Sequence, residues 1–128
     1  MAVRDIASAA RLYRYGYREE ANRIALSMLL ASSYQEFRLP EVFAGYERRS
    51  SRFPVRYPTA SSPQAWATAA PFLWLRLILG IEVREGAVTC DPLVPRELGE
   101  VRYHGFHALG SHFDVDASGT EGEVTPTA

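Results

Sequence analysis

The stretch Ser62–Gly80, SPQAWATAAPFLWLRLILG, is the one whose reading decides the fold. Ser62 is a good helix N-cap, Pro63 suits the first helical position, and Gly80 is placed for the left-handed residue that closes a helix. Between these signals Trp66, Ala67, Ala69, Ala70, Phe72, Leu73, Trp74, Leu75, Leu77, Ile78 and Leu79 leave almost no polar side. A helix apolar all round has to be buried all round. Pro71 in its middle removes a backbone donor and predicts a kink. A three-helix chain cannot wrap such a helix, so the sequence calls for more helices around it than it encodes.

The loop that leads into this helix, Arg38–Trp66, is too long for a simple connection, and loops of that length are functional or disordered. Disorder does not fit a segment that carries Phe43, Tyr46, Phe53, Tyr57 and Trp66. Pro40, Pro54, Pro58 and Pro63 stiffen it by fixing φ. One carboxylate, Glu41, stands between Pro40 and the apolar pair Val42–Phe43.

Two helices precede the loop. Ile6, Ala9, Ala10 and Tyr13 form an apolar stripe that predicts a helix over 4–14. Gly16 breaks it, and a second helix over 18–34 buries Ala21, Ile24, Ala25, Met28 and Leu29. The short corner between them predicts an antiparallel hairpin. After Gly80 the period falls to two. IEVREGAVTC reads as a hairpin turning at Glu85–Gly86, and EVRYHGF and LGSHFDVDA as a second pair joined near 108–110. The remainder, 118–128, is polar and reads as a mobile tail. The expected division is a helical segment over 1–80 with its loop at 35–61, a β segment over 81–117, and the tail.

A net charge of −1 on 128 residues offers no field for nucleic acid or an anionic membrane. Cys90 is the only cysteine, which excludes an internal disulfide and suits a reducing compartment. The N-terminus has arginines where a signal peptide needs an apolar run, and the apolar window 71–81 is too short to span a bilayer. A soluble, cytoplasmic protein is expected.

The pattern Leu39-Pro40-Glu41 followed by an aromatic and a glycine, and then Ser62-Pro63-Gln64-Ala65-Trp66 opening an apolar helix, resembles the C-terminal end of glycogen-debranching, amylo-α-1,6-glucosidase-type glycoside hydrolases. The flanking segments DIASAARLYRYGYREEANRIA and DPLVPRELGEVRYHGFHALGSHFDVD look like that family's preceding helix pair and closing β segment, so the likeness covers residues 4 to 117. It implies a mainly α fold: the last helices of an (α/α)6 toroid of the six-hairpin glycosidase kind, followed by a small C-terminal β-hairpin segment. The apolar helix would then line the inside of the ring.

The same resemblance implies that Glu41 is the general base, activating water in an inverting hydrolysis of α-glucosidic bonds. The partner acid has no counterpart here, and inversion needs two carboxyls about 6.5–9.5 Å apart. The chain is therefore expected to be a truncated or separately encoded piece, inactive alone. A glucoside or α-glucan would bind only to a completed cleft, and a second copy or an upstream toroid polypeptide would cover the exposed helix. Two other functions compete with this one: a non-catalytic helical oligomerisation or interaction domain, and a carbohydrate-binding remnant.

Around Glu41 each candidate has a plainer role as well. Tyr46 divides between stacking on a sugar and packing the core, Phe43 leans to the core, and Trp66 leans to the cleft. Gln64 either bonds a sugar hydroxyl or decorates the first helical turn. Arg38 either pairs with Glu41 and holds it ionised or is a solvated arginine. His104, His107 and His112 raise a metal site. On a strand, however, 104 and 107 point to opposite faces, and no second cysteine or clustered carboxylate completes a ligand set. No metal and no cofactor are expected.

Overall fold

The computed structural model describes residues 2–47 and 49–127, with side chains from residue 7 onward. Helix α1 spans Ala2–Arg14 and α2 spans Arg18–Ser33. Gly16, at φ +86°, turns the corner between them, and the Arg18 guanidinium lies over the Tyr13 ring at 5.4 Å. The two helices pack on small residues: Ala9, Ala21 and Ala25 are fully buried. Ala10 and Tyr13 of the expected α1 stripe are half-buried, while the Ile6 side chain lies outside those described.

Helix α3 spans Ala65–Leu79 and runs through Pro71 without a break. It begins after the expected Ser62–Pro63 start. The Ser61 carbonyl and amide are both bonded to Glu41, to its backbone N–H and its carboxylate, and the chain turns helical only at Ala65. The carbonyl of Gln64 accepts the first helical bond, from the Thr68 N–H at 2.9 Å. Ala67, Ala70, Trp74, Leu77, Ile78 and Leu79 are buried, but Trp66 and Phe72 are 45% and 57% exposed. Among the described residues nothing covers these two side chains fully, and both leave apolar surface on the helix open.

Two compact units divide the chain, Met1–Trp74 and Leu75–Ala128, with α3 running from one into the other. In the second unit, β1 (Glu82–Arg84) and β2 (Ala87–Thr89) form a hairpin. Glu85 and Gly86, at φ +50° and +78°, provide the two left-handed positions that a two-residue turn of this hand requires. A short 3₁₀ turn at Arg96–Leu98 follows. Strands β3 (Glu100–Ala108), β4 (Ser111–Ser118) and β5 (Glu121–Thr127) then build an antiparallel sheet in that order. Leu93 N–H donates to the Ile78 carbonyl, and Val94 N–H to that of Gly119, so the connecting segment is tied both to the end of α3 and to the β4–β5 turn.

Three expectations are corrected here. The fold is α+β rather than mainly α, the described residues forming three helices and two antiparallel sheets. The expected mobile tail forms β5, paired with β4 from Ser118↔Glu121 to His112↔Thr127. Backbone pairing rather than burial holds that strand, so its polar side chains gave no warning of it. Lastly, the register of β3 on β4 shifts between Tyr103 and Phe106, so that His104 and Gly105 together face Asp114. Gly105, at φ +71°, accommodates this bulge. One extra residue restores the parity, and His104 and His107 share a face. Among the described residues no helix is long and apolar enough to cross a membrane.

Candidate functional site

The end of α2 aims the long loop. The carbonyl of Ser32 accepts the N–H groups of Gln35 and Phe37, both at 2.9 Å, while Glu36 and Phe37 take left-handed φ values of +53° and +58°. Leu39 and Pro40 then bury themselves, and the chain emerges at Glu41. From there the loop doubles back as a narrow two-armed ribbon. Ala44 N–H donates to the Val55 carbonyl at 2.8 Å and Tyr57 N–H to that of Val42 at 3.3 Å, with a bridge between Phe43 and Arg56. Gln35 Nε2 donates to the Pro54 carbonyl at 3.2 Å, which fastens the returning arm to the helix end.

The foot of the ribbon holds the carboxylate. Glu41 N–H donates to the Ser61 carbonyl at 3.1 Å, and Ser61 N–H donates to Glu41 Oε2 at 3.3 Å. The segments Leu39–Glu41 and Ser62–Trp66 are thereby brought together across twenty residues of chain. Glu41 Oε2 is engaged by this amide, and among the described residues no donor meets Oε1. Among the described residues no ion pair joins Arg38 to Glu41. Arg38 is exposed, and its backbone N–H donates to the Gln35 carbonyl. Of the two readings of Arg38, the solvated arginine is the one its exposure fits, and the Ser61 amide is the donor that Glu41 meets.

Between α2 and the ribbon lies an open groove of about 390 Å³. Met28, Tyr34, Phe43, Tyr46 and Phe53 are among its apolar lining, and Arg52 is the one charged lining residue among those described. Of the five expected site residues only Tyr46 lines the groove; Arg38, Glu41, Gln64 and Trp66 stand outside its lining. Phe43, expected in the core, is half-buried on the groove wall. Tyr34 and Phe53 were not singled out from the sequence. Tyr34 lies one residue past α2, where the helical stripe no longer says which way a ring turns, and Phe53 depends on the ribbon pairing.

A second polar constellation occupies the β3–β4 bulge. Asp114 Oδ2 lies 2.9 Å from His104 Nδ1, and Asp114 Oδ1 accepts the Gly105 N–H at 2.9 Å. The His104 hydrogen bond first, and the Gly105 amide second, hold the Asp114 carboxyl below the usual carboxylate range. Sequence reading missed this site because it assumed strict alternation; the glycine in Tyr-His-Gly-Phe-His was the available signal of a bulge. Among the described residues no three His, Cys, Asp or Glu side chains are grouped to hold a metal ion. Cys90 is half-buried, and desolvation, then the charge of Asp91, push its thiol up, the opposite of what a nucleophile needs.

No protein-family model matches the chain, and no curated protein does either.

Proposed function

We propose that this chain carries the base side of a glycoside hydrolase cleft, with Glu41 activating water against an α-glucosidic bond. The observation that supports this reading is the paired Glu41–Ser61 contact. It sets Leu39-Pro40-Glu41 beside Ser62-Pro63-Gln64-Ala65-Trp66, the two motifs that resemble the debranching glycosidases. In the proposed reaction Glu41 Oε1 takes a proton from water as its oxygen attacks the anomeric carbon. The bond from that carbon to the glycosidic oxygen breaks, and the departing oxygen needs a proton from a second carboxyl. The resemblance offers no counterpart for that acid in this chain. Trp66, half-exposed in the first turn of α3, would stack on the sugar ring, and Gln64, Arg38 and Tyr46 would contact hydroxyls from nearby or from the groove.

A substrate whose leaving group needs no protonation tests the base separately from the missing acid. Fluoride release from α-glucosyl fluoride is expected from the wild type and lost in Glu41→Gln, which keeps an oxygen for the Ser61 amide. If the two proteins release fluoride equally, the catalytic reading fails. Sugar binding is checked through tryptophan fluorescence with isomaltose. Trp74 is fully buried, so a change is expected from Trp66 and should vanish in Trp66→Phe.

One observation favours a second reading, a helical interaction domain: Trp66, Ala69 and Phe72 make an exposed apolar stripe along α3. Under that reading the chain self-associates, and Phe72→Ser lowers its solution mass while leaving fluoride release unchanged. A monomer at every concentration would remove this alternative.

A further inference from the structure

We propose that His107 and His112 form a binding site for a divalent transition-metal ion of the zinc, nickel and copper class. These two residues face each other in the β3–β4 register, one pair in from the turn at Leu109–Gly110. The pair that flanks a two-residue turn is hydrogen-bonded, so the next pair inward is of the other kind, with side chains closer together. Their ring centres are 5.0 Å apart, with the planes tilted by 60°.

That separation matches chelation. Imidazole nitrogens bind such ions at about 2.0–2.1 Å, which puts each ring centre about 3.2 Å from the ion. Two such rings lie about 4.5 Å apart when they meet the ion at a right angle, and about 5.2 Å apart in a tetrahedron. The observed 5.0 Å falls between these limits. Both rings are exposed, and among the described residues neither has a hydrogen-bond partner, so their nitrogens are free to bind. On the same face of β4, Asp114 stands two residues from His112, about 7 Å along the strand, so its negative charge adds to the attraction for a cation.

His104 is a different kind of histidine. It is committed to Asp114, and that carboxylate is also held by the Gly105 amide. No third side chain joins His107 and His112 among the described residues, so water fills the remaining positions of the ion. The site is therefore open, and its affinity rests on two imidazoles.

Titrating the full chain with Ni²⁺ alone, followed by calorimetry and by NMR of the histidine rings, tests the assignment. One ion per chain is expected, with paramagnetic broadening strongest at His107 and His112. His107→Ala and His112→Ala should each weaken binding by about tenfold or more, and His104→Ala should leave it within about twofold. All three positions are exposed, and unchanged circular dichroism would confirm that the variants fold. Absence of binding in the wild type, broadening centred on His104, or equal affinity in His107→Ala and wild type would each overturn the proposal. The wild-type broadening pattern decides this without any variant.

Discussion

The backbone of Asp91 occupies the space that a β-carbon on Gly80 would need, and Asp91 N–H donates to the Gly80 carbonyl at 3.2 Å. Gly80 ends α3 at φ +59°, so an added side chain would meet both a left-handed backbone and a carbonyl oxygen that cannot swing aside. Gly80→Ala should therefore destabilise the chain by about 2–4 kcal/mol, read as a lower urea midpoint with an unchanged slope. A midpoint within error of wild type would mean that α3 does not end against Asp91.

Leu109 presents the opposite case. It holds φ +53° at the first position of the β3–β4 turn, where asparagine and aspartate are at home and a bulky side chain is strained. Its side chain is 54% exposed, so little packing is lost when it is replaced. Leu109→Asn should stabilise the hairpin by about 0.5–1 kcal/mol and raise the thermal midpoint by a few degrees. A lower midpoint would show that the leucine contributes more by contact than it costs by strain.

Acid should loosen the bulge. The Asp114 carboxyl is held low by His104 and Gly105, and a group whose folded pKa is depressed stabilises the fold above its unfolded value of about 3.9. That contribution disappears as the pH falls through the folded value. The carboxyl carbon of Asp114, followed by NMR, should titrate below the ordinary aspartate range and move up in His104→Ala. No movement would place the cause elsewhere.

Cys90 should be a slow thiol. Burial and the neighbouring Asp91 both disfavour the thiolate, which is the reacting form. At pH 8 the folded chain should react with iodoacetamide more slowly than the same chain in urea. Equal rates would contradict the burial of this side chain.

Local signals and non-local ones fared differently. The stripe of Ala21, Ala25 and Met28 marked α2 correctly, because a helical period repeats within one turn of chain. Glu85–Gly86 marked its hairpin because two adjacent residues settle that turn. The start of α3 lies two residues past the expected Pro63, since Ser62 and Pro63 look like a cap and first helical position until Ser61 is seen to bond to Glu41. Glu41 was visible as a carboxylate between a proline and an apolar pair in a stiff loop; the amide that holds it lies twenty residues away and leaves no local trace. The groove was less legible still: its wall comes from α2 and from both arms of the ribbon.

The amino-acid order alone determined where the chain is helical, where it turns, and which residues are apolar enough to seek cover, because each of these depends on neighbours within a few positions. Tertiary pairing decided that the last seven described residues form a strand, that Glu41 meets Ser61, and that His107 faces His112 on the side of the sheet that His104 shares. The physical reason is register. A single extra residue at Gly105 exchanges the faces of a strand, and the partner strand, not the local sequence, fixes where that residue is accommodated.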